Sequence, residues 1–151
     1  MATQLNLYDK FRRKQISGAG GVDLTTLTVK VMLVTSSYMP NQNADEFRAD
    51  VISHEVSGAG YTAGGNTLAN PVVNMDASGN ISIDFDDPDP WLQNAGGFTN
   101  ARRAIFYVAR GGAPAADELI GYTNDFGADV GNVAGDFAIH LDAAGLIVST
   151  R

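Results

Sequence analysis

The sequence predicts a mainly β protein: an antiparallel β-sandwich or jelly-roll-like domain with a short N-terminal helix and one further short helix. Three observations carry this expectation. Several segments alternate apolar and polar residues with a period of two. Seventeen of the 151 residues are glycine, and Lys and Glu are few, which favours turns and short strands over long surface helices. The 44% hydrophobic and 18% charged content is an ordinary globular balance over a length that supports one real core. We divide the chain into an N-terminal basic helix or arm, 1–20, and a single β-sandwich domain, 21–151.

Residues 5–16, LNLYDKFRRKQI, predict the short helix. Leu7 and Phe11 are four apart, and Tyr8 and Phe11 three apart, so their side chains meet on one face. Gly18 ends it. A helix this short is marginal alone and must dock, on its own sandwich or on a neighbouring subunit. TLTVKVMLVT, 26–35, is the strongest strand, with Leu27, Val29, Val31 and Leu33 on one face and Thr28 and Lys30 on the other. ADEFRADVIS, 44–53, predicts a helical turn or two, with Phe47 and Val51 stacked and acids in the first turn.

TLANPVVNM, 67–75, reads as extended, and Pro71 marks an edge position or a strand start. DASGN turns the chain. ISIDF, 81–85, completes a hairpin with Ile81, Ile83 and Phe85 inward and Ser82 and Asp84 outward. ARRAIFYVAR, 101–110, is partly apolar on both faces, so it is central or at an interface. ELIGYT, 118–123, is a short strand. DFAIHLD and GLIVST form a last hairpin across Asp142–Gly145, with Phe137, Ile139 and Leu141 inward. The total is about seven strands and two short helices.

Several functions are disfavoured by what is missing. Without cysteine there is no disulfide, thiolate metal site or cysteine nucleophile. No apolar run is long enough to cross a bilayer, and MATQLNLYDKFRRKQ lacks the apolar stretch of a secretory signal. The charge is uneven. Residues 1–15 carry +3, from Lys10, Arg12, Arg13 and Lys14 against Asp9, and the remainder carries −10. An acidic body repels nucleic acid and anionic lipid, so neither is an expected partner.

The glycine-rich GAGYTA, 58–63, resembles a dinucleotide fingerprint, but the expected strand–loop–helix order is reversed, and no Lys follows for a P-loop. Gly58, Gly60, Gly64 and Gly65 are read as permitting a long turn. DFDDPDPW, 84–91, gathers Asp84, Asp86, Asp87 and Asp89, yet lacks calcium-loop spacing; these acids are expected to solvate a loop, and no metal is assigned. His54 and His140 have no convergent nucleophile, and there is no G-x-S-x-G elbow, so no catalytic residue and no cofactor are assigned. Trp91 is read as a core or interface anchor.

The order "GGVDLTTLTVKVMLVTSSYMP", "EVSGAGYTAGGNTLANP", "FTNARRAIFYVAR", "LIGYTNDFG" and "GDFAIHLDAAGLI" resembles a family of small virion structural proteins of tailed bacteriophages. The similarity runs from about residue 21 to 149, and none of its motifs is chemical. It implies a non-enzymatic part of the particle, located in the virion and assembled in the host cytoplasm. A capsid decoration or cement protein is the first expectation, and a neck, tail or fibre-base component the second. A surface adhesin that binds carbohydrate through Tyr38, Tyr61 and Trp91 is the alternative of another class.

The expected partners are the major capsid protein or other virion subunits, and further copies of the chain in a homo-oligomer. The basic stretch KFRRK supplies the candidate contact: Tyr8 and Phe11 as anchors, Lys10, Arg12, Arg13 and Lys14 as cations for acidic partner groups. Arg102 and Arg103 could act likewise from their strand, or could form a salt-bridged sheet face.

Overall fold

The structure is a computed structural model and describes residues 2, 3 and 5–150. Its strands are β1 (Ala2–Thr3), β2 (Leu5–Leu7), β3 (Thr28–Val34), β4 (Asn66–Thr67), β5 (Val72–Met75), β6 (Ile81–Asp84), β7 (Arg103–Ala109), β8 (Leu119–Thr123), β9 (His140–Leu141) and β10 (Ile147–Ser149). Helix α1 (Asp9–Ser17) lies between β2 and β3. The larger antiparallel sheet has the order β2-β8-β7-β3-β4, and the smaller one β10-β6-β5; β1 and β9 form a short parallel pair. The protein is therefore mainly β, with two antiparallel sheets and one α-helix, an arrangement compatible with a β-sandwich.

The β3–β7 ladder is the centre of the core. Seven residue pairs run from Thr28 opposite Ala109 to Val34 opposite Arg103. Val29, Val31 and Leu33 share one face with Ala104, Phe106 and Val108; Met32 and Val34 share the other with Ile105 and Tyr107. All ten are buried. The two-sided apolar pattern of 101–110 thus reflects a central strand, flanked by β3 and β8.

Four expectations are corrected. Leu5–Leu7 is a strand, not the first turn of the helix: it pairs with β8, Leu5 opposite Thr123 and Leu7 opposite Gly121. Leu–Asn–Leu fits a period of two as well as a helix, and the open β8 edge decides between them. The helical turn or two expected over 44–53 are present as two 3₁₀ turns, Arg48–Asp50 and Ile52–His54, rather than as one further short helix. There the Arg48 N–H goes to the carbonyl of Asp117, and the Asp50 carboxylate accepts from the Glu46 and Phe47 N–H groups. The 67–75 stretch is broken at Asn70, whose φ is 52°, just before Pro71. The last segments do not pair with each other. The Asp142–Gly145 turn forms, but β9 joins β1, and β10 crosses to β6.

The glycine loop folds back on β3. The Gly64 carbonyl accepts from the Tyr107 hydroxyl at 2.7 Å, and its N–H donates to Glu55 at 2.6 Å. Gly65 has φ +71°, and a Cβ there would lie 1.8 Å from the Val31 carbonyl oxygen. The loop's backbone groups are thus engaged within the chain. We expect Gly65→Ala to lower unfolding stability by roughly 2–4 kcal/mol, read by urea denaturation, because the clash is with backbone that cannot yield.

Candidate partner-docking surface

The candidate surface is built on α1. Tyr8 enters the helix in an extended conformation, and Gly18 closes it in the left-handed region. Tyr8 and Phe11 both point into the chain's own core, at 0% and 3% exposure. The Tyr8 hydroxyl meets the Tyr38 hydroxyl at 2.7 Å, and Tyr38 donates to Asp45 at 2.7 Å. The Tyr8 N–H donates to the Ile120 carbonyl, and the Asp9 N–H to that of Gln42. The helix therefore docks on its own sheet, and the two aromatics hold it there.

The cations of KFRRK divide. Lys14 pairs with Glu46 at 2.9 Å and lies over the Phe47 ring, turned toward the body. Arg12 makes an exposed i,i+3 pair with Asp9 at 3.3 Å, which contributes little. Lys10 and Arg13 have no ion pair among the described residues. Arg102 and Arg103 take the sheet-face role. Arg102 reaches Asp125 at 2.8 Å and Asp129 at 3.4 Å, while Arg103 donates to the Thr123 carbonyl at 3.2 Å. The pair ties the 124–130 loop to β7. The hydrogen bond to Asp125 raises the Arg102 pKa, and the Gly127 N–H is the main cause that lowers that of Asp125.

Beside α1 lies an open groove of about 590 Å³. Leu7, Arg12, Gln15 and Ile16 line one wall; Val73, Ile81, Ile83 and Ile147 line the other, on the smaller sheet. Cross-strand pairing puts Val73, Ile83 and Ile147 in one row. Ile81, expected inward with Phe85, is 49% exposed, whereas Phe85 is buried. Periodicity puts Ile81 and Ile83 on one face, as observed, but the described residues cover only part of that face.

The other candidates are occupied by local structure. Asp87 accepts from the Leu141 N–H and meets His140 Nδ1 at 2.8 Å, while the Asp89 carbonyl accepts from Asn66. No group of three or more acidic or histidine side chains among the described residues is arranged to hold a metal ion. His54 Nδ1 meets Ser37 Oγ at 2.8 Å on the surface, and its ring packs against Tyr38. Tyr38 and Trp91 are buried, and Tyr61 is stacked on Trp91 with its hydroxyl bound to Glu55, so these three do not line an exposed aromatic groove.

Two polar centres were missed by sequence reasoning. Asn132, fully buried, accepts from the Phe98 N–H and donates to the carbonyls of Leu92 and Ala59. Arg48 pairs with buried Asp117 at 2.9 Å, and Arg110 grips Glu118 through two nitrogens. The partners of Asn132 and of Arg48 are distant in sequence, and Arg110 reaches Glu118 only across the turn between β7 and β8, so no local pattern announces them. No family model, curated protein or solved structure matches the chain.

Burial raises the ionisation of Tyr8, Tyr38 and Tyr61 well above the usual tyrosine range and pushes Tyr107 up to about 12. The unfolded chain ionises near pH 10, so these groups stabilise the fold fully below that pH and lose the contribution as pH rises above it. Tyrosinate absorbance should therefore grow in the same cooperative step that abolishes near-ultraviolet circular dichroism, at alkaline pH. A gradual titration of these four tyrosines with the fold intact would contradict this. Separately, Phe11→Ala should cost about 3–5 kcal/mol in denaturant unfolding, and Arg13→Ala should change stability by no more than about 0.5 kcal/mol.

Proposed function

We propose that the chain is a structural subunit of a tailed-bacteriophage particle, a capsid decoration or cement protein that works by binding other virion subunits. The observation that carries this reading is the open apolar groove beside a helix whose Lys10 and Arg13 lack ion-pair partners among the described residues. Apolar surface next to unpaired charge suits a protein interface, with an apolar centre and a charged rim. The resemblance in motif order supports the same reading. A jelly-roll-like closure of the two sheets is the finer architecture that goes with it.

The partner chemistry follows from the rim. Arg12 and Arg13 are exposed and Lys10 is half-buried on a segment of charge +3, so they suit acidic groups on a shell subunit. Each copy would bury roughly 800 Å² per partner. Repetition over a symmetric shell would convert modest contacts into stability by avidity.

Deleting residues 1–15 would not test this, because it removes β2, Tyr8 and Phe11 from the core. The Lys10→Glu, Arg13→Glu variant leaves the core intact. Loading onto shells stripped of the protein should weaken about tenfold, mostly through slower association at low salt. Unchanged loading would remove the helix from the interface. Absence of the protein from mature particles, or turnover of a substrate by the purified chain, would overturn the reading altogether.

A further inference from the structure

β5 is the outer strand of the smaller sheet, and among the described residues no strand pairs with its other edge. The hairpin determines which backbone groups that edge presents. In the 76–80 turn the Asp76 N–H donates to the Asn80 carbonyl at 3.0 Å, and the Gly79 N–H to that of Asp76 at 3.0 Å. Antiparallel pairs alternate between hydrogen-bonded and non-hydrogen-bonded positions. With Asp76 and Asn80 bonded, Asn74–Ser82 and Val72–Asp84 are the bonded pairs, and Met75–Ile81 and Val73–Ile83 are not. The N–H and C=O groups of Val73 and Met75 therefore point away from the sheet. Pro71 shares their parity, so its missing N–H falls on the open side.

Exposed sheet edges are ordinarily blunted by charge, by proline or by a bulge. Val72–Met75 carries no charge, and all four residues are exposed, Met75 at 74%. The neighbouring Asp76 carboxylate is folded into its own turn, where it accepts from the Ser78 and Asn80 N–H groups and from the Asn80 amide.

We propose that β5 pairs antiparallel with β5 of a second copy, about a two-fold axis through Asn74. In this register each Val73 lies opposite the Met75 of the other copy, and these pairs exchange four N–H···O=C bonds. Asn74 lies opposite its own counterpart at a non-hydrogen-bonded position. Two constraints select this register. Centring on Val73 would oppose Met75 to Pro71, which has no N–H to give. A shift by one residue would oppose Val73 to Asn74 and reverse the faces. The chosen register keeps Val73, Ile81 and Ile83 of both copies on one side of a continuous six-stranded sheet. The occupant is a second copy because the strand is matched to itself and uncharged. Two chains of net charge −7 repel least where neither presents charge. A partner recognised by its charge would find nothing to bind on this strand. The pairing is a property of the isolated chain and does not rest on the capsid reading.

The chain has no cysteine, so Asn74→Cys introduces a single thiol. Opposed non-hydrogen-bonded residues have Cα atoms about 4.5 Å apart, within disulfide reach. Under mild oxidation Asn74→Cys should form a covalent dimer at least about tenfold faster than a control thiol at exposed Thr99. By sedimentation over a concentration series, the wild-type chain should pass from monomer to dimer. Val73→Pro, which removes an outward donor, and Asn74→Lys, which places two cations on the axis, should each remain monomeric while folded by circular dichroism. A wild-type chain that stays monomeric, or a dimer unaffected by Asn74→Lys, would overturn the proposal. So would equal cross-linking at Asn74 and Thr99, or protection of the Val73 and Met75 amides from exchange only when a different protein is added.

Discussion

The seven-pair ladder between β3 and β7 is the constraint on which the rest of the structure depends. Both strands are buried on both faces, so neither can slip by one residue without placing Lys30 or Arg103 at an apolar site. That fixed register dictates what must lie above and below it. The Tyr107 side chain carries a hydroxyl that needs an acceptor, and the Gly64 carbonyl supplies it. The glycine loop can approach that closely only because Gly65 has no side chain where it meets Val31. Its glycines serve a close backbone crossing within the chain.

The charge asymmetry of the sequence has a structural counterpart. Asp23, Asp76 and Asp125 bind hydroxyls, amides or backbone N–H groups of their own turns, and those bonds lower their pKa values. Much of the acidic body is thus turn chemistry rather than a docking field. Arginines of the body are spent as internal ties: Arg48 to Asp117, Arg102 to Asp125, Arg110 to Glu118. What remains exposed on the first helix is Arg12 and Arg13, with Lys10 half-buried beside them. Tyr8 and Phe11, which might have supplied apolar anchors for a partner, instead fix the direction in which those cations point.

β3, β6, β7 and β8 were legible in the sequence because alternation over four to seven residues is a strong signal. The N-terminal helix was legible in existence and not in extent, since Leu5–Leu7 satisfies either period and only the edge of β8 selects the strand. The last two segments had a true turn between them, but a turn does not say that its flanks pair. Leu146 instead donates to the Ile83 carbonyl, in the other hairpin. The buried ties at Asn132 and Asp117 join residues dozens of positions apart, and nothing local in either neighbourhood encodes them.

The groove shows why alternation and burial are different statements. Ile81 and Ile83 share a face as the pattern requires, yet Ile81 is exposed, Ile83 is half-buried against the core, and only Phe85, just past the end of β6, is fully buried. Val73, Met75 and Ile81 leave apolar area in water that no element among the described residues covers. Each 100 Å² of such area gains roughly 2.5 kcal/mol on burial, before the cost of association. Scattered singly, exposed apolar residues need no explanation, but here they are adjacent across one hairpin, and Ile16 adds to them from the opposite wall. Surplus of this kind is stable in a finished assembly and a liability outside one. The groove sets this apolar row opposite the α1 wall, where Arg12 stands beside Leu7, Phe11 and Ile16, so apolar area and one cation meet in a single concave surface.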